Sequence, residues 1–374
     1  MSQNNISRIP ITQFKLWEKI SQKRKLLFFS LEITARCSNN CRHCYINLPS
    51  HDQKARKEEL TLEEINNIAD EAVSLGAVWC LLTGGEPLLR KDFFEIYMML
   101  KKKGLLVSVF TNACSITEKH IELFKKYPPR NIEISVYGVT KNTYEKISRT
   151  PGSFKKFLSG IELIKKSGLK ARFKAMVMKS NIHELDQIAQ FCRKYTKDYY
   201  RFDPLLHLRY DRNQTRNKEI LSERLTPKTI AEIEKADQER FQTLKDHCDE
   251  YIFQEDNKNP QNFLFLCGAG VNSCVISYNG IYRLCYSLWH PDTIYDLRKG
   301  TLKDAFYNFV PKVLAMRSDR KQYIKKCGQC RIINLCLWCP AHAYLETGEL
   351  DGFVDYFCET AQERAKMLNE EKKA

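Results

Sequence analysis

Short apolar segments alternate with amphipathic segments from residue 27 to residue 203, and this alternation restricts the chain to few folds. Strands are predicted at 27–34, 78–83, 105–110, 131–137, 170–178 and 198–203. Helices are predicted between them, at about 61–76, 92–103, 117–127, 141–167 and 183–195. Strands that alternate with helices in this way are typically parallel and covered by those helices. The predicted fold class is therefore α/β, and six units fit a partial, TIM-like (β/α)6 barrel better than a complete barrel of eight.

The rest of the sequence divides into further segments around this barrel. Residues 1–26 form an N-terminal extension, and the barrel domain is predicted to span 27–225. Residues 226–262 are polar and are interpreted as a bridge, with a helix at about 227–245. Residues 263–374 are rich in cysteine and end in a C-terminal helix. Such a composition is typical of a small domain that metal holds together.

Cysteine is abundant, with 15 residues in the chain. The N-terminus is polar and no apolar run is long enough to cross a membrane, so we expect a cytoplasmic protein without a membrane partner. In that reducing compartment, clustered cysteines are more plausible as metal ligands than as disulfides. Eleven cysteines lie in two groups, at 37–44 and 267–358. Four scattered ones are expected to be small buried hydrophobic residues, namely Cys80, Cys114, Cys192 and Cys248.

The formal net charge of +15 suggests an acidic partner, such as a peptide or an electron-transfer protein. Basic runs such as 101–103 are more typical of solvated faces than of binding sites, so nucleic acid is not expected as a partner. Charge alone does not choose among the remaining partners.

A three-cysteine loop follows the first predicted strand, in the spacing Cys37-x3-Cys41-x2-Cys44. Loops after strand C-terminal ends carry the chemistry of barrel folds. A [4Fe–4S] cluster normally takes four thiolates, so three would leave one iron open, and an open metal position is typical of a reactive site. Zinc, with His43 or water as the fourth ligand, is the simpler alternative.

The loop, followed by the aromatic Tyr45, strongly resembles that of the radical SAM enzymes. The resemblance implies that Cys37, Cys41 and Cys44 hold a catalytic [4Fe–4S] cluster whose open iron binds S-adenosylmethionine (AdoMet). It further implies that one electron from the cluster cleaves AdoMet to methionine and a 5′-deoxyadenosyl radical. That radical would abstract hydrogen from the substrate.

Further positions resemble the AdoMet-binding motifs of that family, although each has a simpler explanation as a turn or a polar strand end. Gly84-Gly85-Glu86-Pro87 follows the second strand and resembles the GGEP motif, in which the backbone and Glu86 would receive the AdoMet ammonium. Three weaker matches, one of them an arginine that would hold the AdoMet carboxylate although it aligns one position off, are Asn112, Ser135 and Arg149.

The C-terminal cysteines resemble the SPASM extension of radical SAM enzymes, which holds two auxiliary [4Fe–4S] clusters. The resemblance implies that auxiliary cluster I uses Cys267, Cys274, Cys285 and Cys339. It implies that auxiliary cluster II uses Cys327, Cys330, Cys336 and Cys358. One departure is the two-residue spacing in "CLWC", where three is commoner, and two zinc-ribbon-like sites are the alternative. If Cys274 is not bound, cluster I keeps an open iron.

The substrate is less constrained than the cofactors. SPASM relatives mostly modify ribosomally made peptides, which is the first hypothesis; a small molecule in cofactor, tetrapyrrole or aminosugar synthesis is the second. A non-catalytic iron–sulfur electron carrier is a third hypothesis, against which the open cluster and Glu86 argue. Sulfatase activation is not expected, because Tyr286 stands where those enzymes carry an aspartate base, and a tyrosine is a poor base at neutral pH.

Two protein partners are implied by the same resemblance. An electron donor such as flavodoxin or ferredoxin would reduce the catalytic cluster. Only about 26 residues precede the first strand, too few for a leader-recognition domain, so either a separate protein recognises a leader peptide or the substrate has none.

Metal analysis tests the cluster assignment. We expect about twelve irons per chain after anaerobic reconstitution, since three clusters of the [4Fe–4S] type are implied. About four irons, or zinc in place of iron, would contradict the auxiliary clusters.

Overall fold

The computed structural model describes residues 24–196, 201–247, 252, 262–336 and 338–372. A nine-stranded sheet runs through them in the order β11-β10-β9-β1-β4-β5-β6-β7-β8. Its strands are β1 (Phe28–Thr34), β4 (Trp79–Gly84), β5 (Leu106–Thr111), β6 (Ile132–Val136), β7 (Ala171–Met176), β8 (Arg201–Asp203), β9 (Ser273–Ile276), β10 (Ile281–Arg283) and β11 (Tyr295–Asp296). A separate parallel pair consists of β2 (Arg36–Cys37) and β3 (Leu48–Pro49).

The six strands predicted from the sequence are confirmed, and each pairs in parallel with its neighbour from β1 to β8. The part of the last strand predicted at 198–200 lies outside the described residues. Helices of the predicted barrel are Leu62–Ser74, Phe93–Lys102, Glu118–Lys126, Lys141–Ser148, Ser153–Ser167 and Leu185–Tyr195. This is the partial TIM-like barrel that the alternation of strands and helices predicts.

Three strands from the cysteine-rich region extend the same sheet, which sequence periodicity did not predict. β9 pairs in parallel with the free edge of β1, from Phe28↔Ser273 to Leu31↔Ile276. β10 and β11 then continue the sheet in antiparallel fashion. Pairing between segments so far apart in the chain leaves no local signal. The domain limits at 225/226 and 262/263 therefore remain predictions, and most of the 1–26 extension lies outside the described residues.

The bridge region and the segment before it differ from the sequence prediction in their helices. The predicted helix at 227–245 is interrupted at Asp237, whose carboxylate accepts a hydrogen bond from Arg240 N at 2.9 Å and caps a second helix. The two helices span Pro227–Ala236 and Gln238–Asp246, and an unpredicted helix spans Gln214–Glu223. Further α-helices of the described C-terminal part are Val310–Leu314, Lys321–Lys326, Pro340–Thr347 and Asp355–Lys372.

The two faces of the barrel sheet differ in chemistry. On β1, Phe29, Leu31 and Ile33 belong to the hydrophobic core that the helices cover. Ser30, Glu32 and Thr34 alternate with them and therefore face the other side, yet they are also fully buried. We call this polar side the interior face of the sheet. It is where a buried polar ligand could be held.

Two glycines allow the end of β4 to touch the start of the cysteine loop. Gly84 has φ +138°, and a Cβ there would lie 2.0 Å from Thr34 O. A Cβ on Gly85 would lie 2.4 Å from Arg36 O and 2.5 Å from Ala35 O. Instead, Gly85 N donates to Thr34 O at 2.7 Å. The sequence Gly84-Gly85 is therefore required by backbone contact.

Replacing Gly85 by alanine tests this contact. We expect Gly85→Ala to lower the free energy of unfolding by about 3 kcal/mol or more, because the new Cβ collides with backbone oxygens that cannot rotate away. The measurement is urea unfolding of the two proteins. The control is Gly104→Ala, where φ is +81° but nothing lies within 4 Å of the new Cβ, so only the strain of about 1 kcal/mol is expected. Equal losses in the two variants would contradict the close-contact explanation.

Candidate active site

The three cysteines of the loop face one another. Cys37 ends β2, and Cys41 and Cys44 follow in the connection to β3. Burial raises the pKa of the Cys37 thiol, and the negative charges of Cys41, Glu86 and Cys44 raise it further. Burial and the charge of Cys44 likewise raise the pKa of Cys41. These thiols would ionise together only around a positively charged centre, such as an iron–sulfur core.

Backbone amides and two arginines hold the loop. Asn39 N donates to Cys37 Sγ at 3.4 Å, and Asn47 N donates to Cys44 Sγ at 3.3 Å, so both sulfurs are favoured as acceptors. Arg209 donates to Cys44 O at 3.3 Å. Arg216 donates to Cys41 O at 2.8 Å. No motif marks these arginines, because they lie in a charged segment whose path could not be predicted.

Glu86 is fully buried beside the loop. Its Oε1 accepts from Thr111 Oγ1 at 2.8 Å, and its Oε2 accepts from Asn112 N at 2.8 Å. The Asn112 side chain contacts Cys37 Sγ at 3.6 Å. Burial raises the pKa of Glu86 to about 7, against these hydrogen bonds, which lower it. The structure thus joins Glu86, Asn112 and Cys37, and the carboxylate is suited to a cationic ligand.

The other predicted AdoMet residues occupy different positions. Pro87 is buried and begins a single 3-10 turn, Pro87–Leu89. Ser135 is half-buried on the interior face of β6. Arg149 caps the helix Lys141–Ser148 with φ 51°, and its guanidinium forms an ion pair with Glu219 at 2.8 Å. A contact of Ser135 or Arg149 with AdoMet remains a prediction.

Three polar atoms of the loop have no hydrogen-bond partner among the described residues, namely Ser38 Oγ, Asn39 Oδ1 and His43 Nδ1. The His43 ring packs edge-on against Tyr137, with centroids 5.3 Å apart. Burial lowers the pKa of His43 to about 4, so its ring is neutral. Unpaired buried atoms around three thiols fit a loop that surrounds a bound group.

Four C-terminal cysteines come together as the sequence predicted for auxiliary cluster II. They line one cavity, which Trp338 and Phe353 also border, and they are Cys327, Cys330, Cys336 and Cys358. Burial raises the pKa of the Cys336 thiol, and the charges of the other three raise it further. This four-thiol cavity fits an iron–sulfur cluster.

The set predicted for auxiliary cluster I is brought together only in part. Burial raises the pKa of Cys285 to about 11, and the charge of the neighbouring Cys339 raises it further. Cys267 is exposed in the loop before β9. Cys274 does not join them: it lies within β9 opposite Phe29, 1% exposed, and its neighbouring thiol is Cys80. Strand pairing with β1 places Cys274 in the core, away from the proposed cluster.

Among the described residues, no three His, Cys, Asp or Glu side chains close on a single metal-ion position. A cube does not require them to, because its ligands bind separate irons.

Of the scattered cysteines, Cys80 and Cys192 lie in the hydrophobic core. Cys114 is half-buried and 3.7 Å from Tyr144 Oη, and Cys248 lies outside the described residues. No helix of the described residues is long and apolar enough to span a bilayer.

Three relatives are similar in sequence to this chain over much of its length. An AdoMet-dependent heme synthase of Methanosarcina barkeri is 25% identical over 340 residues, covering 85% of this chain and 92% of its own. An Fe-coproporphyrin III synthase of the same species is 22% identical, covering 81% and 80%. The subtilosin biosynthesis protein AlbA of Bacillus subtilis is 26% identical, covering 69% and 54%.

Solved structures share the fold at low sequence identity. Streptococcus suis SuiB bound to its precursor peptide SuiA superposes with a TM-score of 0.68 at 14% identity, covering 96% of this chain and 84% of SuiB. The protein anSMEcpe with bound AdoMet and a peptide superposes with a TM-score of 0.60 at 16% identity, covering 94% and 100%.

Residues 31–192 match the Radical SAM superfamily, and they contain the three-thiol loop, Glu86 and Asn112. The cysteine-rich C-terminal part is consistent with a SPASM-type extension. The match identifies a radical SAM domain at residues 31–192 of this chain.

Proposed function

We propose that this enzyme abstracts hydrogen from a carboxylate-bearing small molecule of the tetrapyrrole class. Cys37, Cys41 and Cys44 would hold the catalytic [4Fe–4S] cluster, and Glu86 with Asn112 would orient AdoMet. The bound cluster and AdoMet supply the 5′-deoxyadenosyl radical. The observation that carries the choice of substrate is the cationic character of the interior face.

The interior face of β6 to β8 carries more positive than negative charge. Ile134, Phe173 and Phe202 of these strands pack into the core, so the residues that alternate with them point inward. These include Glu133 and Lys174, which are half-buried, and Arg172 and Arg201, which are exposed. Burial raises the pKa of Glu133, and four cations oppose that effect, in the order Lys174, Arg172, Arg201 and Arg130. Asp203 also points inward, and its Oδ1 accepts a hydrogen bond from Leu205 N at 3.0 Å.

A pair of histidines lies next to the second cysteine group. His207 follows β8, and its ring centroid lies 4.3 Å from that of His342, three residues after Cys339. Burial lowers the pKa of His207 to about 3, and the charges of His342, Arg224 and Lys174 lower it further. The His207 ring is therefore neutral. A neutral imidazole is also a common ligand of tetrapyrrole iron.

The relatives support the same class of substrate. The heme synthase and the Fe-coproporphyrin III synthase each match more than three quarters of this chain and of their own length. The cationic interior supplies what such carboxylated tetrapyrroles need, namely charge-assisted hydrogen-bond donors inside the barrel.

Removing one interior cation tests the proposal. We expect Lys174→Ala to raise the dissociation constant for Fe-coproporphyrin III about tenfold, because one charge-assisted hydrogen bond is lost. The measurement is an anaerobic titration followed through the absorption spectrum of the tetrapyrrole. The control is Lys166→Ala on the outer helix Ser153–Ser167, which should bind as the wild type does.

Turnover completes this test. With AdoMet and dithionite, Fe-coproporphyrin III should increase 5′-deoxyadenosine formation by the wild type, and Cys41→Ala should form none. Tight binding that is indifferent to Lys174, or no stimulation by the tetrapyrrole, would contradict the proposed substrate class. Continued 5′-deoxyadenosine formation by Cys41→Ala would contradict the catalytic role of the loop.

Peptide modification is the second candidate. Its support is the likeness to AlbA, the fold shared with SuiB, whose structure holds a precursor peptide, and the net charge of +15, which suits an acidic leader. Either candidate needs an electron donor such as flavodoxin or ferredoxin. Anaerobic turnover with cell-extract peptides, monitored for loss of a pair of hydrogens by mass spectrometry, distinguishes it from the tetrapyrrole proposal.

A further inference from the structure

Asn112 contacts both the buried carboxylate and the cysteine loop of the candidate active site. It is the first residue after β5 and is 5% exposed. Its backbone N–H donates to Glu86 Oε2 at 2.8 Å. Its side-chain Nδ2 lies 3.6 Å from Cys37 Sγ, although the two residues are 75 positions apart in the chain. The main chain of this residue therefore faces the carboxylate, while its side chain faces a thiol.

A second hydrogen bond fixes the orientation of the Asn112 amide. Cys114 N donates to Asn112 Oδ1 at 2.9 Å, which closes the turn that asparagine side chains form with the backbone two residues further on. Because a backbone N–H can only donate, the amide oxygen must face Cys114, and Nδ2 must face Cys37. Thr111 closes a similar turn with its hydroxyl, which accepts from Ala113 N at 3.0 Å. The contact with Cys37 is therefore an N–H···S contact in which the sulfur is the acceptor.

Burial strengthens the effect of this donor. Cys37 is 9% exposed and Glu86 is 0% exposed, so little water is present to screen charge on the sulfur. A second donor, Asn39 N, lies 3.4 Å from the same sulfur, but it belongs to the backbone of the cysteine loop itself. Asn112 comes from a different strand, and its donor can be removed by substitution without altering the loop. Its contribution to the properties of the site can therefore be measured separately.

We propose that Asn112 is a positioning residue that directs its Nδ2–H at Cys37 Sγ and raises the reduction potential of the cluster that binds AdoMet. Hydrogen bonds to the sulfurs are among the factors that set the potential of an iron–sulfur cluster. A donor stabilises the reduced cluster more than the oxidised one, because the reduced cluster carries more negative charge. This role rests on the catalytic cluster of the proposed function, held by Cys37, Cys41 and Cys44, and is independent of the substrate.

Two substitutions separate the sulfur contact from the turn. Asn112→Ser removes the Nδ2 donor but keeps a hydroxyl for the turn to Cys114 N, as Thr111 does one residue earlier. Asn112→Ala removes both groups. Loss of one N–H···S bond should lower the equilibrium constant for cluster reduction about tenfold, which is about 59 mV for a one-electron couple. Both variants should therefore have a more negative midpoint potential than the wild type, by similar amounts.

The experiment is an EPR-monitored redox titration of the full-length protein, reconstituted anaerobically and measured without AdoMet or tetrapyrrole. Cys41→Ala is used to assign the signal, because it removes a ligand of the same cluster. Pulsed ENDOR in ordinary and in deuterated water should show an exchangeable proton coupling in the wild type that both Asn112 variants lose. The matched control is Asn40→Ser, the same change at an exposed asparagine of the cysteine loop whose Oδ1 accepts from Asn47 Nδ2 at 3.5 Å. It should keep the wild-type potential and couplings.

Three results would overturn the proposal. One is a wild-type potential, or an unchanged set of exchangeable couplings, in Asn112→Ser, and this result decides even if Asn112→Ala does not fold. Another is an equal shift in Asn40→Ser, which would indicate a general effect of substitution near the loop. The third is a wild-type protein without any signal that depends on Cys41, and iron determination separates that failure of the cluster assignment from a failure of Asn112 to act.

Discussion

The site depends on the close contact between the end of β4 and the start of the cysteine loop. Gly85 N and Glu86 N donate to Thr34 O and Arg36 O at 2.7 and 2.9 Å, and no side chain fits between the two backbones. This contact places the Glu86 carboxylate beside Cys37, with Asn112 touching both. A buried carboxylate next to three thiols is unfavourable unless cations occupy the space. Ionisation of these groups together therefore requires a positively charged partner, such as an iron–sulfur core with AdoMet.

Local patterns were sufficient to predict the barrel and the AdoMet loop. The six parallel strands follow from alternating segments, and Cys37, Cys41 and Cys44 follow from their spacing within one loop. Residues that depend on long-range pairing could not be found in this way. Cys274 seemed to belong with the other C-terminal cysteines, but the pairing of β9 with β1 removes it to the core. Arg209 and Arg216 hold the loop through backbone carbonyls, a role that no motif marks.

The interior face connects the two cysteine regions chemically. Its polar residues would be costly in a core that only had to be filled, since each buried charge must be compensated. Lys174 gives one part of this face a positive charge, and the ion pair between Glu32 and Arg283 occupies another part without net charge. The first arrangement suits binding of an anionic substrate.

The most direct test of the account is whether AdoMet binds the centre held by Cys37, Cys41 and Cys44. The measurement is pulsed EPR of the reduced, reconstituted enzyme with AdoMet labelled with ¹⁵N at its amino group. The account predicts a ¹⁵N hyperfine coupling to the cluster signal that depends on these cysteines and weakens in Glu86→Gln. A cluster signal without ¹⁵N coupling at saturating AdoMet would contradict it.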